Sequence, residues 1–138
     1  MKKMMLLLSM LAVAFVTSGC RQVIDEPPYG VKPDNVSEAQ YPQIATEGKL
    51  ANHLSYAKPV VRDDGPTPIS VSVPIRLRDH KAVNAQYRFT FLGADGAPVD
   101  PPMDWRFMAL PPRLQVFMEG SALSNEAVDW RLEIRPAK

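Results

Sequence analysis

Residues 69–92 read Ile-Ser-Val-Ser-Val-Pro-Ile-Arg-Leu-Arg-Asp-His-Lys-Ala-Val-Asn-Ala-Gln-Tyr-Arg-Phe-Thr-Phe-Leu, and this stretch decides the fold class. Ile69, Val71, Val73, Ile75 and Leu77 alternate with Ser70, Ser72, Pro74, Arg76 and Arg78. Successive side chains of an extended chain point to opposite faces, so a period of two gathers the five aliphatic groups on one face of a half-buried strand. Asp79-His80-Lys81 supplies a turn, after which Val83, Ala85, Tyr87, Phe89 and Phe91 repeat the alternation against Asn84, Gln86, Arg88 and Thr90.

Downstream, Gly93-Ala94-Asp95-Gly96 holds the Asp-Gly pair favoured in tight reversals, because it tolerates positive φ. Further strands are expected over Trp105–Leu110, after the Pro111-Pro112 break over Leu114–Glu119, and at the end, where Trp130, Leu132 and Ile134 alternate with charged residues. Upstream, Tyr41–Ala45 reads as a short opening strand and Glu47–Leu54 shows helical spacing through Leu50 and Leu54. Ser55–Arg62 is extended, with Pro59 confining it to an edge or a bulge, and Asp63-Asp64-Gly65-Pro66 is a turn. Pro59 and Pro74 are together expected to mark sheet edges and limit uncontrolled strand addition. Strands at this spacing, separated by turn chemistry, predict an all-β fold, a single antiparallel sandwich. Fourteen prolines against seven glycines agree with strands and irregular arms rather than helices.

The first twenty residues have a different character. Lys2 and Lys3 precede an apolar stretch from Met4 to Val16, followed by Thr17-Ser18-Gly19 and the single cysteine, Cys20. That is the layout of a secretory signal, and a thirteen-residue stretch, apolar apart from Ser9, is shorter than the ~20 residues a bilayer-spanning helix needs. Thr17-Ser18-Gly19-Cys20 resembles a bacterial lipobox, departing from it at Thr17, where leucine is usual. The resemblance implies cleavage before Cys20, diacylglycerol on its sulfur and acylation of the new N-terminus, and two or more chains anchor a protein durably. Arg21 after the cysteine resembles lipoproteins sorted to the outer membrane. The expected organisation is therefore a leader over 1–19, a lipidated cysteine and flexible tether over 20–38, and the sandwich over 39–138, lipid-anchored in the cell envelope at the outer membrane and facing the periplasm.

Removing the leader leaves 119 of 138 residues, enough for one core, with 14 basic and 15 acidic side chains. A balance of −1 generates no field that would draw the chain to nucleic acid. One cysteine excludes an intramolecular disulfide or a cysteine metal cage, and Asp63, Asp64, Asp95, Asp100 and Asp104 lack the spacing of a calcium loop. No metal or cofactor is expected.

Over Val71–Arg135 the sequence resembles the YcfL-type family of uncharacterised bacterial lipoproteins. The likeness is carried by Gln86-Tyr87-Arg88-Phe89, Asp95-Gly96, Trp105, Leu110-Pro111-Pro112-Arg113 and Ala127-Val128-Asp129-Trp130-Arg131-Leu132. It implies an immunoglobulin-like β-sandwich on a lipid anchor and no known reaction.

Candidate chemistry is sparse. His53-Leu54-Ser55 places a base near a hydroxyl, but neither a G-x-S-x-G elbow nor an oxyanion-type glycine cluster accompanies it, so a hydrolase using His53 or His80 is the weakest reading. Trp105 and Trp130 occupy twin Asp-Trp-Arg triplets; both are expected to enter the core from a strand's beginning, whereas an exposed one would suit carbohydrate stacking. Arg76, Arg78, Arg88, Arg131 and Arg135 all fall on polar phases, and if their strands share a sheet they form one basic binding face. The expected function is a non-enzymatic module binding another envelope protein or polymer. The rival is an accessory or regulatory lipoprotein of cell-wall synthesis that binds a synthase or peptidoglycan. Oligomeric state is not specified by these features.

Overall fold

A computed structural model describes residues 41–138. The leader, Cys20 and the 20–38 tether lie outside the described residues. Eight strands follow in order: β1 (Ile44–Thr46), β2 (Leu54–Tyr56), β3 (Val60–Arg62), β4 (Ser70–Leu77), β5 (Val83–Leu92), β6 (Arg106–Leu110), β7 (Gln115–Ser121) and β8 (Asp129–Pro136). A 3-10 turn over Gly48–His53 takes the place of the helical spacing read there; it buries Leu50, while Leu54 already belongs to β2.

The strands form two sheets of a sandwich, consistent with the immunoglobulin-like class that the resemblance implies. One sheet runs β1-β8-β5-β6; in the other, β4 is central, with β2 and β3 along one side and β7 along the other. Every named pair is antiparallel except β1 with β8, which run parallel. These two are far apart in sequence, so no hairpin forces them antiparallel. The alternation of 69–92 is largely realised: Ile69, Val71, Val73, Ile75 and Leu77 are buried, as are Ala85, Tyr87, Phe89 and Phe91, while Val83 is half-buried against the core and Pro74, on the polar phase, is buried too. From β8, Trp130, Leu132 and Ile134 face the same interior. Phe89 sits among aromatic neighbours, with ring centroids 6.0 Å from Phe91, 6.0 Å from Trp130 and 6.1 Å from Tyr87, within the range where such rings attract. Across the interior, Gly120 of β7 lies against the Phe89 ring and leaves no space there for a side chain. Tyr56 is 1% exposed, and its hydroxyl is paired with that of Thr46 on the facing sheet.

Pro59 separates β2 from β3, and the register slips there: Tyr56 faces Ile75 while Val60 faces Ser72, so four residues on one strand span three on the other. This is the expected bulge on an edge. Pro74, however, does not mark an edge. It sits in the middle of β4, which is paired on both sides. Its carbonyl accepts the Ala57 amide at 3.0 Å, so its missing donor points toward the bulge, where the neighbouring strand is interrupted anyway.

Gly93–Ala97 closes the reversal after β5, with Gly96 at φ 77° and Asp95 Oδ1 accepting the Ala97 amide at 3.0 Å. Pro111-Pro112 carries the chain from β6 in one sheet to β7 in the other, through Arg113 at φ 60°.

Candidate functional site

The five arginines singled out by phase do not form one face. β4 belongs to the sheet opposite β5 and β8, so Arg76 and Arg78 lie apart from Arg88, Arg131 and Arg135. Arg78 is engaged locally, its Nε donating to Ser55 Oγ at 2.7 Å.

Arg88, Arg131 and Arg135 do share the outer face of the β1-β8-β5-β6 sheet. Arg88 pairs with Glu133, Gln86 with Arg135 and Thr90 with Arg131, which places the polar phases of β5 and β8 side by side. Arg88 Nε donates to Glu133 Oε2 at 2.5 Å, and Arg135 Nε donates to Gln86 Oε1 at 3.0 Å. Among the described residues Arg131 has no carboxylate partner. Neighbouring Asp129 instead accepts the Trp130 amide at 2.8 Å. The hydrogen bond that Arg88 donates to Glu133 raises the Arg88 pKa above its ordinary value; slight desolvation opposes this, and the charges of Glu133 and Glu47 add to it. The guanidinium is thus held charged.

Trp105 completes this face and corrects its expected place in the core. Leu110 is fully buried and Met108 half-buried, so β6 turns these two residues inward and Trp105, Phe107 and Ala109 outward. One step beyond the last β5–β6 pair, Tyr87 with Arg106, Trp105 comes opposite Arg88. Its half-buried ring meets two guanidinium groups, Arg135 at 3.8 Å and Arg88 at 4.6 Å from the centroid. Both distances lie inside the ~6 Å reach of cation–π attraction. Phe107, opposite Gln86, extends the patch and is 61% exposed. Trp130, in the second Asp-Trp-Arg triplet, is 6% exposed and belongs to the core as expected.

The histidines are elsewhere. His53 Nδ1 lies 2.8 Å from Asp79 Oδ2 with both side chains open to solvent, and His80 is exposed. Ser55 Oγ is occupied by Arg78, so the structure joins no nucleophile to His53. Among the described residues no group of three His, Cys, Asp or Glu side chains is placed to hold a metal. The arrangement on the β5–β8 face is suited to binding: a planar aromatic held by two cations, an exposed phenyl ring beside it, and in the next register row a third cation that is in no ion pair among the described residues.

Residues 43–136 match the model of a family described as a protein of unknown function, DUF1425. No curated protein matches the chain significantly. Two solved structures resemble the fold. The Campylobacter jejuni protein cj0090 has 22% identity and a TM-score of 0.59, the alignment covering 69% of this chain and 98% of that one. A DUF1425 family member from Shewanella sp. pv-4 has 21% identity and a TM-score of 0.55, covering 62% and 79% respectively.

Proposed function

Because this chain belongs to the DUF1425 family, whose function is unknown, we propose that it is a non-enzymatic envelope lipoprotein of YcfL type, tethered through acylated Cys20. In this reading the outer face of the β5–β8 sheet binds an anionic envelope protein or polymer. The supporting observation is the Trp105 platform. A tryptophan clasped by Arg88 and Arg135 beside a 61% exposed phenylalanine is an arrangement a folded core does not need, and tryptophan with arginine dominates binding surfaces. Stacking on the ring orients the guanidinium planes, which then present their remaining N–H groups to carboxylates or phosphates. Arg131 adds a cation that, among the described residues, is in no ion pair. The lipid anchor, supported by the lipobox-like Thr17–Cys20 segment, confines the platform near the membrane and raises its effective concentration for envelope partners.

Site-specific photocrosslinking in intact cells tests this. A photoreactive residue at Phe107 should yield a defined adduct that disappears when Arg131→Glu is added, and the same group at exposed Lys49 should not yield it. An adduct that survives Arg131→Glu, or none beyond the Lys49 background, rejects the platform as the binding face. If the captured component is a wall synthase, the accessory role in cell-wall synthesis follows from the same experiment.

A further inference from the structure

The opposite sheet carries a second surface feature, independent of the arginine platform. Across the outer face of β3, β4 and β7 runs an open trough of about 460 Å³. Its floor is Ser70 and Ser72, two successive outward positions of the central strand. Its walls are longer side chains: Val60 and Arg62 from β3, and Phe117 and Glu119 from β7. The register explains the depression, since Val60, Ser72 and Glu119 form one row across the sheet and Arg62, Ser70 and Ser121 form the next. Ser72, flanked by Val60 and Glu119, and Ser70, beside the longer Arg62, leave a channel along β4.

We propose that this trough binds an uncharged saccharide chain. The floor strand is hydrogen-bonded on both sides, so it has no backbone groups left to receive an added peptide strand, and any ligand must be read by side chains. Those side chains are hydroxyls, one carboxylate, one guanidinium and apolar surface. Ser72 Oγ donates to Glu119 Oε1 at 3.3 Å, which fixes the carboxylate over the floor. Among the described residues neither Glu119 nor Arg62 is in an ion pair. The two charges facing the channel cancel, so a polyanion meets Glu119 and a polycation meets Arg62. A sugar hydroxyl both donates and accepts, and therefore satisfies the carboxylate, the guanidinium and the serines together. Phe117 and Val60, 49% and 51% exposed, supply the apolar wall on which the C–H face of a pyranose packs. The volume lies in the range of about 300–1,000 Å³ usual for small-molecule sites.

The test is an NMR titration of the full 15N-labelled chain in dodecylphosphocholine, a detergent without a sugar headgroup, using chitotetraose and maltotetraose as separate probes. Millimolar concentrations of at least one neutral oligosaccharide should shift the amides of Val60–Arg62, Ser70–Ser72 and Phe117–Ser121. Phe117→Ala should weaken binding about tenfold. Ser70→Val, which a strand accommodates readily, should fill the floor and abolish it, so the outcome does not hang on one variant. Arg131→Glu on the other sheet should change nothing, which keeps this result separate from the platform. The proposal is overturned if neither probe shifts these amides, if both Phe117→Ala and Ser70→Val bind as the parent does, or if oligogalacturonate or a glucosamine oligomer binds more tightly than the neutral probes.

Discussion

Trp105→Ala separates what the platform contributes to folding from what it contributes to recognition. The ring faces Arg135 at 3.8 Å and Arg88 at 4.6 Å, and a cation–π contact at a solvent-exposed site contributes ~0.5–1 kcal/mol. The two do not simply add, because Arg88 keeps Glu133 and Arg135 keeps Gln86 once the ring is gone. The expected destabilisation is therefore about 1 kcal/mol, or a fall in Tm of about 4–8 °C for a domain of this size. Urea unfolding followed by tryptophan emission reads it directly, since Trp130 is 6% exposed and remains as the single tryptophan of the variant. In a double-mutant cycle with Arg135→Ala, the coupling should be about 0.5–1 kcal/mol. A loss above about 3 kcal/mol would be the size expected for emptying a core aromatic site, and would refute the outward placement. Coupling indistinguishable from zero would refute the stacked cation.

Gly120→Ala should be more damaging despite being smaller. The new Cβ would fall 2.6 Å from Phe89 Cδ2 and 2.7 Å from Cγ, inside a closed core, where overpacking costs about 1–3 kcal/mol; Phe89→Leu in the same background should recover part of it, and a parental unfolding curve would contradict the packing. Cys20→Ser should abolish incorporation of labelled palmitate and release the protein from the membrane fraction, whereas persistent labelling would place the lipid elsewhere. Because the Arg88 pKa is raised, its charge is complete below its ordinary value and is lost only as pH rises through the higher one. Capture of the Phe107-crosslinked partner should accordingly be flat between about pH 6 and 9, and a sigmoidal loss with a midpoint near that of a histidine would assign binding to another face.

The strands of the core were legible because burial imposes parity. Val71 through Leu77 and Ala85 through Phe91 each keep one face apolar, and both faces came out buried as written. The same rule, applied to Trp105, would have placed it correctly. It lies five residues before Leu110, an odd offset, and therefore opposite the buried face, whereas Trp130 lies two before Leu132 and shares its face. The identical Asp-Trp-Arg triplets masked this difference, since local composition is the same and only the phase of the following strand differs. Pro74 misled for a related reason. A proline in a central strand requires an interruption on one neighbour, and that interruption is created 15 residues earlier at Pro59, which the residues around Pro74 do not reveal. The five-arginine face depended on which strands share a sheet, and parity is silent on sheet membership. The trough was hidden likewise, because Ser72 and Glu119 are 47 residues apart and meet only through the β4–β7 register.

The platform's arginines are not equivalent, and the difference can be read in kinetics. Arg88 and Arg135 are each held by a hydrogen bond and by the Trp105 ring, so their positions are set before any ligand arrives. Arg131 is exposed and, among the described residues, without an ion-pair partner, so its charge acts at a distance. A rim charge governs the rate and salt dependence of encounter, whereas truncating groups in a fixed, hydrogen-bonded constellation governs dissociation. With the component crosslinked at Phe107 immobilised on a sensor surface, Arg131→Ala should lower kon, and the deficit should close as salt shortens the Debye length from about 10 Å at 0.1 M toward 3 Å at 1 M. Trp105→Ala should leave kon nearly unchanged and raise koff, because the guanidinium planes lose the surface that orients them. If Arg131→Ala changes koff alone, or Trp105→Ala acts only through a salt-sensitive kon, the division between a steering cation and a pre-ordered clasp is wrong.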